Sequence, residues 1–99
     1  MKRTVVRYKA KPEKADENQR FVEAVFRELE ARKPEDVRYL VLRLADGTFL
    51  HFVERNADGN PFEAIPAFRA FQQGIKERVA EPPTPSEATI VGNYRMLRA

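Results

Sequence analysis

The sequence predicts an α+β protein of the ferredoxin-like class, in which a four-stranded antiparallel sheet carries two helices on one face. Two observations support this prediction. Segments with strand-type and helix-type hydrophobic patterns follow one another in the order β-α-β-β-α-β, which is the split βαβ arrangement. The chain has 99 residues, of which 42% are hydrophobic, and this is enough for one compact core. We therefore expect one domain over residues 1–99.

The first half of the chain predicts a strand followed by a helix. Residues 3–11, RTVVRYKAK, are rich in Val and Tyr and indicate a strand. Pro12 then opens a helix, and Pro34 ends it near Lys33 because the residue before a proline is disfavoured in helical conformation. The apolar positions of this helix follow a period of 3.6 residues: Phe21, Val22, Val25, Phe26 and Leu29.

Residues 36–54, DVRYLVLRLADGTFLHFVE, predict a β-hairpin, and the turn decides which side chains share a face. A two-residue loop at Asp46-Gly47 would place His51 on the face of Leu40 and Leu42. A four-residue turn ending in a left-handed Gly47, with a bulge, would reverse that parity. We favour the bulged turn because it makes one face purely apolar, as covering helices require.

With the bulged turn, the two faces of the hairpin differ in composition. One face, which we expect beneath the helices, carries Leu40, Leu42, Leu44, Leu50 and Phe52. The other, which we expect to be the open face of the sheet, carries Tyr39, Val41, Arg43, Phe49, His51 and Val53.

The second half predicts a loop, a helix, a stiff linker and a final strand. Residues 56–61, NADGNP, are turn formers. A helix follows with Pro66 in its first turn. Residues 81–87, EPPTPSE, indicate a partly polyproline linker, and Ala88 to Leu97 indicate the last strand. The apolar positions of the helix are Phe68, Phe71, Ile75 and Val79.

The candidate site centres on His51, the only histidine in the chain. Histidine titrates near neutral pH, so His51 is a candidate general base, and Tyr39 and Arg43 on the same face are candidates to hold a substrate anion. Alternation along the first strand places Arg7 with them, and we expect Tyr94 of the last strand to join the same site. The alternative is that His51 is structural and hydrogen-bonded at a seam between two chains.

The expected open face also predicts an assembly. Apolar residues such as Val41, Phe49 and Val53 would form an exposed patch there, and such patches usually mark an interface or a ligand site. A symmetric homodimer that packs sheet against sheet would cover it.

Composition excludes several other classes of function. The absence of cysteine excludes disulfides and thiolate chemistry, and the single histidine lacks companions for a metal site, so we expect neither metal nor cofactor. The 18 basic and 15 acidic residues are interleaved, which argues against nucleic acid as a partner. No apolar run is long enough for a membrane span, so we expect a soluble cytoplasmic protein.

Three parts of the chain together resemble the antibiotic biosynthesis monooxygenase-like (ABM-like) superfamily of dimeric α+β barrels. They are residues 11–54, the helix segment IPAFRAFQQGIKERV and the segment ATIVGNYR. The resemblance implies the ferredoxin-like fold and a homodimer. It also implies a cofactor-independent oxygenase acting on a small aromatic or polyphenolic substrate. The tryptophan common in oxygenase members is absent, and the helical histidine of haem-degrading members has no counterpart. A non-catalytic dimeric module that binds a small ligand is the alternative.

Overall fold

The computed structural model describes residues 1–56 and 60–97. Within these ranges four strands form one antiparallel sheet in the order β2-β3-β1-β4, and the helices pack on it, as the ferredoxin-like prediction requires. Short 3-10 turns at Pro12–Lys14 and Pro61–Ala64 precede the two helical regions. The elements are β1 (Lys2–Ala10), α1 (Ala15–Arg32), β2 (Val37–Arg43), β3 (Thr48–Arg55), α2 (Pro66–Gln73), α3 (Ile75–Arg78) and β4 (Val79–Glu87).

Helix α1 begins and ends close to where the prolines predict. The 3-10 turn that starts at Pro12 runs directly into it. At its C-terminus Lys33 adopts a left-handed conformation, with φ of 48°, and its backbone N–H donates to the carbonyl of Leu29 across 2.7 Å. The buried side of the helix contains one polar residue, Asn18, in line with Val22 and Val25.

The hairpin between β2 and β3 has the bulged turn that we favoured. Gly47 is left-handed, with φ of 89°, and its N–H donates to the carbonyl of Leu44 across 3.1 Å. The N–H of Leu44 in turn donates to the carbonyl of Thr48 across 2.8 Å, which closes the turn. Val41 therefore lies opposite His51, as predicted, and the grouping of side chains on the two faces is confirmed.

The assignment of those two faces to core and solvent is wrong. The helices cover the face of Phe49 and His51, which are 1% and 4% exposed, whereas Leu42 and Phe52 on the other face are 42% and 37% exposed. We had expected the purely apolar face beneath the helices. Instead the helices themselves supply polar partners to the mixed face, so its polar groups are buried with their hydrogen bonds made.

The second helical region is shorter than the sequence pattern indicates. Pro66 occupies the first turn as predicted, but the helix breaks at Gly74, and α3 is a single turn. Val79, which we had placed on this helix, is the first residue of β4. Ile75 on α3 and Val79 on β4 nevertheless pack against the core, as their apolar character indicates.

Strand β4 is also displaced from its predicted position. Residues 81–87, expected as a linker, form most of the strand, while residues 88–97 contain no strand. Proline is tolerated here because β4 is an edge strand, and Pro82 and Pro83 lie where its register against β1 shifts by one residue. The prediction of the last strand at Ala88–Leu97 is therefore wrong. No helix in the described ranges is long and apolar enough to cross a membrane.

Candidate functional site

Five polar side chains form one continuous hydrogen-bonded chain between the sheet and the helices. Arg78 Nε donates to Asn18 Oδ1 across 3.0 Å, and Asn18 Nδ2 donates to the hydroxyl of Tyr8 across 2.8 Å. The Tyr8 hydroxyl lies 2.8 Å from Nε2 of His51. Nδ1 of His51 lies 2.5 Å from the hydroxyl of Tyr39. We call these five residues the polar chain.

Three neighbouring strands and two helices position the polar chain. Tyr8 on β1 lies opposite Phe49, two residues before His51 on β3, so both side chains project from the same face. Tyr39 on β2 shares that face by the same alternation. Asn18 reaches down from the buried side of α1, and Arg78 is the last residue of α3.

Aromatic rings enclose the polar chain on most sides. The ring of Tyr8 stacks on Phe49 with centroids 5.5 Å apart, and the ring of His51 lies 5.5 Å from that of Phe71. The ring of Tyr39 is stacked on Phe26 at 4.9 Å. These rings help to bury the part of the chain from Arg78 to His51, and the lower local dielectric there strengthens its hydrogen bonds.

Burial favours the neutral form of the imidazole and of both phenols. Desolvation lowers the pKa of His51 to about 4, so the imidazole is uncharged at neutral pH. Desolvation also raises the pKa of Tyr8 to about 12, although the hydrogen bond from Asn18 and the charge of Arg78 oppose the shift. The pKa of Tyr39 is raised for the same reason, burial first and the proximity of Tyr8 second.

Arg78 is the charged end of the polar chain. Its side chain is 3% exposed and forms no ion pair with the described residues. Burial lowers its pKa, but an arginine remains charged at physiological pH. The guanidinium is held by the carbonyl of Phe71 at 2.5 Å and lies 4.3 Å from the ring centroid of Phe21. Glu17 offsets this charge only from beyond ion-pair distance, so Arg78 remains an incompletely compensated buried cation, which is costly.

Of the predicted site residues, Tyr39 joins His51 and Arg43 does not. Arg43 shares the face of His51, but its guanidinium extends to α1, where Nη1 donates to Asp16 at 2.9 Å and to Gln19 at 2.7 Å. Its positive charge is therefore already neutralised in part at the protein surface.

Arg7 and Tyr94 lie away from His51, so the positions that we expected for them are wrong. Arg7 pairs across the sheet with Leu50, which belongs to the opposite face, and forms an ion pair with Glu81 at 3.7 Å. Tyr94 follows β4, is 81% exposed, and lies under the guanidinium of Arg95. The strand of Arg7 was predicted correctly, but its alternation was assigned to the wrong face. Tyr94 was placed on the last strand, which ends at Glu87.

Sequence reasoning did not place Asn18, Arg78 or Tyr8 in the site. A signal for the first two was nevertheless present. Asn18 stands four residues before Val22 on the apolar stripe of α1, and Arg78 stands seven after Phe71, so each is a polar residue on a buried helical face. Polar residues at such positions must find buried partners.

A groove of about 930 Å³ opens between α1 and the β2 edge of the sheet. Its floor includes Phe26, Val41 and Phe49, and its rim carries charged residues including Arg43. The groove stops one side chain short of the polar chain, since the Phe26 ring that lines it is the one stacked on Tyr39. Among the described residues there is no cluster of three His, Cys, Asp or Glu side chains of the kind that binds a metal ion.

Comparison with solved structures places this fold among known proteins. A candidate antibiotic biosynthesis monooxygenase from Nitrosomonas europaea superposes with a TM-score of 0.73 at 16% identity, covering 93% of this chain and 100% of that one. Another from Caulobacter crescentus gives a TM-score of 0.70 at 18% identity, with 92% and 90% covered. A protein of unknown function from Nitrosomonas europaea gives 0.70 at 18% identity, with 99% and 95% covered.

These similarities confirm the ABM-like resemblance at the level of the fold. Identities of this size show a shared fold and do not carry an activity. Neither the protein-family models nor the curated proteins include a match to this chain.

Proposed function

We propose that this protein binds a small phenolic or polyphenolic molecule and stabilises its anion, as a cofactor-independent ABM-like monooxygenase would. The observation that supports this proposal is the polar chain itself. A core of this size gains stability from apolar packing, and burying an arginine, an asparagine, a histidine and the hydroxyl of a tyrosine in it is costly. Polar groups that are buried together at such cost are typical of functional sites.

The electrostatics of the polar chain favour an anionic ligand. Arg78 supplies a fixed positive charge in a dry environment, and the phenols of Tyr8 and Tyr39 stay protonated and can donate hydrogen bonds. Preorganised donors in a site of low dielectric stabilise developing oxyanions more strongly than water does. A phenolate or enolate fits these requirements, and the aromatic walls suit a flat ring.

His51 serves this site better as a hydrogen-bond partner than as a base. Moving a proton from a phenol with a pKa near 10 to an imidazole with a pKa of about 4 is uphill by about 8 kcal/mol. We propose instead that His51 orients the hydroxyl of Tyr39 and connects it, through Tyr8 and Asn18, to the positive charge of Arg78. We propose that a ligand enters from the groove by displacing Phe26, which brings its oxygen to Tyr39.

We further infer a homodimer formed through the open face of the sheet. That face exposes Leu40, Leu42, Leu44 and Phe52, each between 37% and 43% exposed. Four large apolar side chains exposed on one face of the sheet favour a self-complementary interface with two-fold symmetry. The inferred interface is on the opposite side of the sheet from His51, so His51 does not lie at the seam between the chains.

Nitrophenols provide a direct test of anion stabilisation, because the phenolate absorbs visible light and the phenol does not. We expect bound nitrophenol to ionise at lower pH than in buffer, and we expect Tyr39→Phe to reduce this shift. Tyr94→Phe is the matched control, since it removes the same hydroxyl from an exposed position. Equal spectra for both variants, or no binding by the wild type, would contradict the proposal. Consumption of dioxygen with polyphenols tests the oxygenase activity separately.

A non-catalytic ligand-binding dimer is the second candidate, and one observation favours it. The groove does not reach His51 in this structure, since Phe26 closes it. Ligand binding without any consumption of dioxygen, across a panel of polyphenols, would select this candidate.

A further inference from the structure

We propose that Arg78 and Asn18 fix the tautomer of His51, so that Nδ1 carries the proton and the hydroxyl of Tyr39 is left free to donate to an oxyanion of the ligand. Arg78 and Asn18 are positioning residues in this proposal, because they act through Tyr8 and His51. The part of the proposal that concerns the ligand rests on the proposed function. The part that concerns the tautomer does not.

The direction of the polar chain begins at Arg78, which can only donate hydrogen bonds. Since its Nε–H points to Asn18, the carbonyl oxygen of the Asn18 amide must face Arg78. The NH₂ group of the same amide must then face Tyr8 and donate to its hydroxyl oxygen. The orientation of the Asn18 amide is therefore fixed by its two hydrogen-bond partners.

Among the residues that the structure describes, the hydroxyl proton of Tyr8 has one acceptor. Tyr8 is 1% exposed, and its oxygen already accepts from Asn18. The remaining neighbour is Nε2 of His51 at 2.8 Å, so Tyr8 donates to Nε2, which is therefore unprotonated. The opposite arrangement, in which Nε2–H donates to Tyr8, leaves the Tyr8 proton buried without an acceptor among the described residues, which is the more costly state.

A neutral imidazole with unprotonated Nε2 carries its proton on Nδ1. The Nδ1–H group donates to the hydroxyl oxygen of Tyr39, 2.5 Å away. The hydroxyl of Tyr39 makes no other hydrogen bond with the described residues, and the side chain is only partly buried, so the hydroxyl proton is available to an acceptor outside the polar chain. All four hydrogen bonds then run in one direction, away from the buried charge of Arg78. Such one-way chains polarise each successive donor.

The chemistry at the end of this chain defines the ligand group. The hydroxyl of Tyr39 offers the ligand a hydrogen-bond donor, so it selects a ligand oxygen that accepts. The positive charge of Arg78 at the other end of the polar chain favours a phenolate or enolate over a neutral phenol. The reversed chain would commit the Tyr39 proton to His51 and would leave no donor for such a group.

Nitrogen NMR of the free protein tests the tautomer. Because the chain has one histidine, two-bond ¹H–¹⁵N spectra report on His51 without ambiguity. We expect a protonated Nδ1 and an unprotonated Nε2 at pH 7, although free histidine prefers the other tautomer. A protonated Nε2 in the wild type overturns the proposal, and this measurement needs no variant.

The variant Asn18→Asp should reverse the chain. A carboxylate at this position has no N–H and accepts from both Arg78 and Tyr8, so Tyr8 would instead accept from a protonated Nε2 of His51. We expect the tautomer to switch, while Gln72→Glu, the same change at an exposed position, leaves it as in the wild type. An unchanged tautomer in a folded Asn18→Asp protein contradicts the proposal.

Ligand binding separates this proposal from the proposed function. In Asn18→Asp the hydroxyl proton of Tyr39 is donated to Nδ1 of His51, and the new carboxylate neutralises the charge of Arg78. The variant should therefore bind nitrophenolate about tenfold more weakly, which is the equivalent of one charge-assisted hydrogen bond. Gln72→Glu should bind as the wild type does. The expected tautomer without any phenolic ligand refutes the proposed function alone. If the wild type has the opposite tautomer and binds phenolate tightly, the proposal on the tautomer is refuted and the proposed function is not.

Discussion

The hydroxyl oxygen of Tyr8 lies 2.8 Å from Nε2 of His51, and both residues are almost fully enclosed by the sheet and the helices. This contact joins β1 and β3, the two central strands, on the covered face of the sheet. It also connects Arg78 and Asn18, which lie on helices, to the strand residues of the polar chain. The stability of the fold and the chemistry of the site therefore depend on the same hydrogen bonds.

The first prediction concerns the dependence of stability on pH. The pKa of His51 is about 4 in the folded protein and near 6.5 when unfolded, so below pH 6.5 the unfolded state binds the additional proton. The contribution of His51 to the free energy of unfolding is complete above pH 6.5 and is lost as the pH falls toward 4. The loss totals about 3 kcal/mol.

Chemical denaturation between pH 7.5 and 4 measures this effect. The difference between wild type and His51→Gln isolates it from the carboxyl groups that titrate below pH 5. A constant difference over the whole range would show that His51 is not buried in its neutral form.

The second prediction concerns the hydroxyl of Tyr8. The variant Tyr8→Phe keeps the ring against Phe49 but leaves the Asn18 amide and Nε2 of His51 without their partner. We expect the free energy of unfolding to fall by about 1 to 3 kcal/mol, as for other buried groups that lose a hydrogen bond. Thermal denaturation of Tyr8→Phe beside Tyr94→Phe checks this, since the hydroxyl of Tyr94 is exposed and should contribute less than about 0.5 kcal/mol.

The third prediction concerns the space that Gly74 leaves for Arg78. A Cβ atom at residue 74 would lie 2.7 Å from Nη1 of Arg78, so Gly74→Ala must displace a guanidinium held by Phe71 and Asn18. We expect a destabilisation of about 1 to 3 kcal/mol, typical of overpacking.

The matched control for that substitution is Gly92→Ala, because a Cβ at residue 92 would meet nothing within 4 Å. Its unfolding midpoint should equal that of the wild type. Equal midpoints for both variants would mean that Arg78 can relax without cost, and that its position is not fixed by the fold.

The fourth prediction concerns the inferred dimer. The variant Leu42→Glu places a charge in the centre of the exposed apolar face, which a sheet-to-sheet interface cannot bury without cost. We expect analytical ultracentrifugation to show a dimer for the wild type and a monomer for Leu42→Glu. Ala70→Glu adds the same charge on an exposed part of α2 and should stay dimeric. A monomeric wild type would refute the dimer directly.

The sequence allowed the element order, the first helix and the hairpin turn to be predicted because each depends on local signals. Pro12 and Pro34 delimit α1, and Gly47 sets the register of β2 against β3. The covered face was not predictable from the hairpin alone, since both faces carry large apolar side chains. Which face is covered depends on the polar partners that the helices supply, namely Asn18 and Arg78.

The site was predicted only in part for the same reason. His51 and Tyr39 were paired correctly because they lie on adjacent strands in a register that the turn defines. Arg78 was missed because its role depends on the break at Gly74, which ends α2 and brings a polar residue from α3 beneath α1. Arg7 and Tyr94 were misplaced by assumptions on strand faces and strand ends that only tertiary packing resolves.

The prolines of β4 have a consequence for how this protein behaves in concentrated solution. Pro82, Pro83 and Pro85 lack backbone N–H groups, and the register shifts interrupt the regular spacing of those that remain. An extended segment from another molecule therefore finds few donors along this border of the sheet. Lateral growth into fibrils is blocked on that side, and any strand added from outside must approach through β2.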